Sequence, residues 1–328
     1  MQPSEPARPR VSSLVDREDA LDRAATSALD VLVIGGGITG AGIALDAATR
    51  GLSVALVERD DLASGTSSKS SKLVHGGLRY LEQRQFGLVY EAVRERNLLR
   101  RLAPHLVRPL AFAIPLEDRW KRLAVKVGLS IYDGMAAGRN VRSHQRLDPA
   151  ALLEALPDLA GGGGHGGYRY YDCQTDDARL TLAVAQAARG FGALVVTHAE
   201  VVDLLRSRGT VVGGSVLDRL SGATFDLSAR WVVNATGVWA DRVRALGPDE
   251  RSPLLTPSKG VHVTFHARDL RLRDGAFIPS GADDGRLVFV IPWGHQVIIG
   301  TTDDGYEGDL EEPKVSDSDV DYLLRAVN

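Results

Sequence analysis

The chain has 328 residues, enough for one large or two ordinary domains. Hydrophobic residues make up 44% and charged residues 25%, near a globular average that supports a sizeable core. A net charge of −3 gives no reason to expect nucleic acid, and Cys173, the only cysteine, excludes intrachain disulfides and cysteine metal clusters.

Residues 1–29 are rich in Pro, Ser, Arg and acid, including Glu5, Asp16, Glu18 and Asp19. They lack the apolar core of a signal peptide and carry more acid than a transit peptide. A mobile extension with a short helix from Glu18 to Ala25 is expected. No apolar run reaches the roughly 18 residues of a membrane-spanning helix.

Val31 to Ile34 is a continuous apolar run, the pattern of a strand buried on both faces. Gly35-Gly36-Gly37-Ile38-Thr39-Gly40 follows and satisfies G-x-G-x-x-G. In such a loop Gly35 permits the tight turn, Gly37 lets the backbone approach a pyrophosphate, and Gly40 lets helix and strand pack closely. The helix after it carries Ala41, Gly42, Ala44, Ala47 and Ala48, small enough to lie near a sheet, and Gly51 ends it. Its free N-terminal amides favour phosphate. Ser53 to Val57 forms the second strand, with Glu58 at its end to accept hydrogen bonds from a ribose diol. Strand, helix, strand and acid in this order predict dinucleotide binding, without separating NAD from FAD.

Shortly after comes "SSKSSKLVHGGLRY", Ser67 to Tyr80. Hydroxyls of Thr66, Ser67 and Ser68 are expected to bond phosphate and ribitol oxygens. Gly76 and Gly77 are expected to admit a flat ring system, which favours FAD. "SSKSS" alone reads as a solvated loop.

Residues 86–102 read as a helix with apolar positions Val89, Tyr90, Val93 and Leu98. Residues 120–135 begin with Trp120, Lys121 and Arg122 and continue apolar, with Lys126 within. Either an interfacial membrane helix or a packed helix with a basic face fits. "GGGGHGG", 161–167, reads as a flexible loop with His165 a bystander, and no metal site is expected. A helix follows from Asp176, with Asp177 as N-cap and Gly190 or Gly192 at its end. From Leu194 the period becomes two: a sheet strand, a small meander, then a returning core strand through "RWVVNATG". Residues 258–303 read as antiparallel strands. Lys259 and His262 lie among them, facing either a bound group or ordinary strand neighbours.

The run from Ile34 to Glu82 resembles the flavin-binding region of FAD-dependent glycerol-3-phosphate dehydrogenases. So do "APHLVRP", "YYDCQTDDARLTLAVAQAA", "VNATGVWAD", "SKGVHV" and "VFVIPWGHQVIIGTTD", in family order. The resemblance implies an α/β fold with an α+β second part: a Rossmann-like FAD domain at 30–110 and 170–257, and an antiparallel substrate domain at 111–169 and 258–328. It implies cofactor contacts from Gly35–Gly40, Glu58 and Arg59. Further contacts come from Thr66, Ser67, Ser68, Ser71, Lys72, Leu73, His75, Gly76 and Gly77, and from Val201, Ala235, Thr236 and Gly237. Arg79 and Tyr80 are implied to face substrate, with Lys259 placing charge near the flavin and His262 as the base. The implied reaction is oxidation of sn-glycerol 3-phosphate to dihydroxyacetone phosphate, with electrons passed to a quinone. Implied too is a cytoplasmic enzyme in peripheral contact with the inner face of the cell membrane. A related oxidase, a non-catalytic remnant and an NAD dehydrogenase stand as rivals. The resemblance runs out at Asn328 where family members continue, so a fragment or shortened member with little activity is expected.

Overall fold

A computed structural model of the chain describes residues 17–116, 119–136, 140–158, 164–247, 252–280 and 286–327. In chain order the first elements are α1 (Arg17–Thr26), β1 (Leu29–Ile34), α2 (Ile38–Thr49), β2 (Val54–Val57), β3 (Leu73–Val74), α3 (Arg79–Glu82), α4 (Phe86–Leu102), β4 (Arg108–Pro115) and α5 (Arg119–Met135). Next come β5 (Gln145–Leu147), α6 (Pro149–Ala155), β6 (Gly167–Gln174), α7 (Asp177–Gly190), β7 (Leu194–Val196), β8 (Ala199–Ser207), β9 (Thr210–Asp218), β10 (Thr224–Asn234) and α8 (Ala240–Ala245). The last are β11 (Ser258–Lys259), β12 (His262–His266), β13 (Gly275–Pro279), β14 (Leu287–Trp293), β15 (Gln296–Gly300), β16 (Asp304–Gly305) and α9 (Asp317–Val327).

The chain divides into two compact units: Met1–Ser70 with Asp176–Thr256, and Ser71–Thr175 with Pro257–Asn328. The first boundary therefore falls near residue 70 rather than 110, and the second at 175 rather than 169. Strand pairing is the reason: β3 and β4 both pair with β6, so all three belong to the second unit's sheet.

The first unit is built on a sheet of order β7-β2-β1-β10-β9-β8. β7, β2, β1 and β10 run parallel, and β8–β10 form the antiparallel meander expected from the period-two segments. β1 is buried on both faces by alternation. Leu32 and Ile34 join a core with Ala20, Leu21 and Ala24 of α1, while Val31 and Val33 join Ala44, Ala47 and Ala48 of α2 and Ala188 of α7. The short helix expected from Glu18 to Ala25 is present as α1, but it is packed rather than mobile, with Ala20, Leu21 and Ala24 buried. Two alanines and one leucine are too weak a periodic signal to stand out in a charged segment. Residues 1–16 lie outside the described residues.

Arg17 anchors α1. Its guanidinium donates to the carbonyls of Thr197 and His198 and to the Asp218 carboxylate. Burial opposes ionisation of Asp218, but hydrogen bonds from Ser221 and Arg17 outweigh it and hold the carboxyl down at about 2, from an ordinary 3.8. A carboxyl with a lower pKa folded than unfolded stabilises above the unfolded value, and that contribution is lost as pH falls through the folded one. Protection of the α1 amides, taken relative to their intrinsic exchange rates, is therefore expected to fall as pH drops from 3.8 towards about 2. Asp218→Asn should abolish this pH dependence; an unchanged profile would remove Arg17–Asp218 as the anchor.

The second unit carries a mixed sheet of order β12-β15-β14-β13-β4-β6-β3, with β5 also paired to β6. It is antiparallel as expected except where β13 runs parallel to β4. On α4, Val89 and Val93 are buried as expected, but Tyr90 is 51% and Leu98 39% exposed. Arg96 and Asn97 take the inward positions instead. The glycine run also differs. Gly161 to Gly163 lie outside the described residues, while Gly166 and Gly167 are buried; a Cβ on either would overlap the carbonyl of Leu147 or Ile114.

Asp176, not Asp177, caps α7, because Asp176 has the extended backbone an N-cap requires and accepts from the Arg179 amide at 3.0 Å. Asp177 instead accepts from the Ser70 hydroxyl at 2.7 Å.

Candidate functional site

In the first unit the loop residues converge at the C-terminal ends of β1, β2 and β10, where open α/β sheets bind ligands. Gly35 has φ +109°, and a Cβ there would come within 2.6 Å of the Ala235 carbonyl oxygen. A Cβ on Gly40 would overlap the Gly35 carbonyl oxygen, so α2 begins hard against the loop. Gly37, the N-cap of α2, has only the Ser67 side chain within 4 Å of its missing Cβ. The Ser67 hydroxyl accepts from the Ile38 amide at 2.9 Å. Ile38 and Thr39 are exposed at the helix start.

Glu58 is held by backbone. One carboxylate oxygen accepts from the Gly36 amide at 2.6 Å, the other from the Asp60 amide at 2.8 Å. Each oxygen retains a lone pair for a diol. Arg59 stacks over the Trp239 ring at 5.3 Å, and a Cβ on Gly65 would press on the same ring at 2.9 Å. The Ala235 amide donates to the Ile34 carbonyl at 2.8 Å, which sets the Ala235-Thr236-Gly237 turn beside Gly35. Val201 lies on β8, whose first residue, Ala199, donates its amide to the Glu58 carbonyl at 2.7 Å. Thr66, Ser67 and Ser68 form a short 3-10 turn, with the Ser68 hydroxyl donating to the Gly65 carbonyl. An exposed helix start at Ile38 and Thr39, a cradle that a side chain at Gly37 would fill and a carboxylate near the second strand's end fit a dinucleotide.

In the second unit the Ser71 hydroxyl and His262 Nε2 are 2.8 Å apart. Lys72 has φ +58° and gives its carbonyl to the Thr175 amide, and Leu73 enters β3. Lys259 does not present a free charge. Its ammonium donates to Asp319 at 2.6 Å and to the Lys314 carbonyl at 3.0 Å, fastening the start of α9. Burial opposes ionisation of Asp319, but hydrogen bonds from Lys259 and Ser316 hold its carboxyl below the ordinary value.

The two glycines after His75 serve packing. A Cβ on Gly76 would overlap the Tyr132 hydroxyl and come within 2.5 Å of Val93. Gly77 has φ +71°, and its missing Cβ faces the Tyr80 ring. At both glycines the direction of the missing Cβ is filled by protein. His75 is exposed, and its Nδ1 accepts from the Gly77 amide at 3.0 Å. The side chain of Arg79 lies outside the described residues, as do those of Trp120 and Lys121.

A buried polar cluster escaped the sequence reading. The Asp172 carboxylate, 2% exposed, accepts from Arg96, from the Tyr132 hydroxyl at 2.8 Å and from the Gly76 amide at 3.0 Å. The Arg96 side chain is 0% exposed and also donates to Asn140 at 2.7 Å. Burial, with the Asp172 charge adding to it, raises the Tyr132 hydroxyl well above its ordinary value, so it remains a donor. A signal existed: Tyr168, Tyr170 and Asp172 share the buried face of β6 at period two, and a buried acid demands a cation. Cys173 beside them is no nucleophile, because burial pushes its thiol up to about 11. No group of His, Cys, Asp and Glu fit to hold a metal occurs among the described residues.

A glycine loop against a parallel sheet, with Glu58 beyond it, defines the first unit as a dinucleotide-binding α/β unit. The family model for FAD dependent oxidoreductases matches residues 30–328, and the chain belongs to that family. Its cofactor is FAD, which removes the NAD alternative. The glycerol-3-phosphate dehydrogenase of Mycobacterium leprae (strain TN) is 48% identical over 314 residues, 95% of this chain and 53% of the relative. The alpha-glycerophosphate oxidase of Enterococcus casseliflavus is 38% identical over 321 residues, 95% of this chain and 52% of the relative. Among solved structures, the glycerol-3-phosphate dehydrogenase from Bacillus halodurans complexed with FAD matches with a TM-score of 0.77 at 35% identity, over 94% of this chain and 54% of that one. The chain thus spans about half the length of these relatives.

Proposed function

We propose that this protein is an FAD-dependent glycerol-3-phosphate dehydrogenase that oxidises sn-glycerol 3-phosphate to dihydroxyacetone phosphate and passes the electrons to a quinone. One observation carries the reading: the 48% identity to a dehydrogenase of that name extends over 95% of the chain, and so over both units. Bound FAD would supply the hydride-accepting chemistry. The protein supplies binding, orientation and proton movement. The α2 N-terminus and Gly37 hold the diphosphate, Glu58 the ribose, and Thr66, Ser67 and Ser68 the neighbouring oxygens. Arg79 meets the substrate phosphate through its planar fork. Ser71 passes the C2 hydroxyl proton to His262 at Nε2, the atom already 2.8 Å from its hydroxyl. Lys259 anchors α9 through Asp319.

Membrane contact belongs to the same reading. On α5, Leu123, Val127 and Ile131 recur at i, i+4 and i+8 and are 55%, 51% and 41% exposed, with Lys126 exposed among them. An apolar stripe flanked by basic side chains suits an anionic membrane surface at the cytoplasmic face. No described helix is long and apolar enough to cross a membrane.

The test uses a polypeptide of the relatives' full length carrying these residues. Glycerol 3-phosphate added without oxygen should bleach the flavin band, and a quinone analogue should restore it. Co-sedimentation with phosphatidylglycerol vesicles should fall in a Leu123→Ser, Val127→Ser variant. Full flavin loading without bleaching overturns the substrate. Stoichiometric peroxide without quinone reduction selects the oxidase, the second reading that the Enterococcus relative favours.

A further inference from the structure

The amides of Gly76 and Gly77 are committed in opposite directions. Gly76 donates inward to Asp172 at 3.0 Å, and Gly77 donates to Nδ1 of the exposed His75 at 3.0 Å. Nδ1 is therefore an acceptor, and the neutral ring carries its proton on Nε2. His75 so held offers a hydrogen-bond donor at Nε2, and a rotation of the strap formed by the Gly76–Gly77 backbone that freed Gly77 would lose that tautomer. The strap has little room to rotate. Tyr132 and Val93 close the space over Gly76, and Gly77 holds φ +71° with Tyr80 against it.

Asp172 is the inner end of this arrangement. Its Oδ1 takes the Gly76 amide, the Tyr132 hydroxyl and Arg96 together. Arg96 is itself fixed by the Tyr171 carbonyl at 3.1 Å and by Asn140 at 2.7 Å. Asn140 in turn donates to Asp133 at 2.7 Å, whose other oxygen takes His144 Nδ1 at 2.7 Å. A buried network of this kind rigidifies what it holds, although Arg96 Nε within it has no partner. It ends on one backbone amide, next to a histidine that the rest of the fold leaves exposed.

We propose that Asp172, backed by Arg96 and Tyr132, is a positioning residue that locks His75 as an Nε2–H donor towards a carbonyl or anionic oxygen of the bound flavin. The direction towards flavin rests on the function proposed above; the lock itself does not. Asp172 touches no bound group and acts only through the Gly76 amide.

Two double variants of this chain separate acceptor from packing. Arg96→Met with Asp172→Asn removes the buried charges but keeps a carbonyl oxygen for Gly76. Arg96→Met with Asp172→Leu removes the oxygen too. Nitrogen-15 spectra of the imidazoles in flavin-free protein should show a single Nε2–H tautomer for His75 in the parent and the asparagine variant, and a mixture in the leucine variant. FAD titration should then show roughly tenfold weaker binding for the leucine variant alone. Equal tautomer signatures in the two variants overturn the lock. If the leucine variant fails to fold, Gly76 amide exchange in the parent decides, because an unprotected amide overturns the lock as well. A lock confirmed in protein whose FAD affinity is indifferent to it overturns the flavin-facing role, and a parent that takes up no flavin overturns the underlying reading.

Discussion

Gly40→Ala is expected to abolish FAD uptake, whereas Gly42→Ala, two residues along the same helix, is expected to leave it intact. The added methyl at Gly40 overlaps the Gly35 carbonyl oxygen, a backbone atom that no rotamer change removes. Gly35 cannot retreat, since its own missing Cβ already faces the Ala235 carbonyl at 2.6 Å. The start of α2 must therefore move by about 1 Å, and displacement on that scale costs roughly 100-fold where geometry is exacting. Gly42 has nothing within 4 Å of its missing Cβ, so alanine there adds no clash. Alanine also favours the helix by up to about 1 kcal/mol over glycine. Flavin fluorescence quenching on titration reads both variants. Binding by Gly40→Ala within about twofold of the parent would mean that the loop and helix do not form the diphosphate cradle.

Asp172→Leu should destabilise the second unit by about 3–5 kcal/mol, because it leaves the Arg96 guanidinium buried without a counter-charge. For a unit of this size that lowers its melting temperature by roughly 10 °C. Combining it with Arg96→Met should recover most of the loss, since a buried ion pair replaced by apolar side chains of similar volume is often neutral. Thermal melts of the single and double variants form the check. A single variant that melts with the parent would mean that water reaches Arg96 and the cluster is not sealed.

The first unit was largely legible before its structure. β1, the glycine loop, α2, β2 and Glu58 are contiguous, and each residue's role there follows from local backbone geometry, so the order of residues carries the site. The period-two segments after Leu194 foretold the meander for the same reason. What failed was whatever depended on partners distant along the chain. The division near residue 70 follows from β3 pairing with β6, about a hundred positions away. The helix of α1 was expected, but its packing was not: it needs the faces of β1 and β10 to take Ala20, Leu21 and Ala24. That Gly76 and Gly77 also leave room for Tyr132 and Tyr80 showed only in the structure.

The sequence by itself determined the class of ligand, because a dinucleotide loop is local: one turn, one helix start and one acid at fixed spacing. Tertiary structure decided the fate of the charged side chains. Lys259, which the sequence left open between a bound group and strand neighbours, is paired with Asp319, while Arg96, outside the apolar positions expected of its helix, is sealed against Asp172. Charge acts through space and burial is collective, so neither outcome is written in the neighbours that a side chain has along the chain.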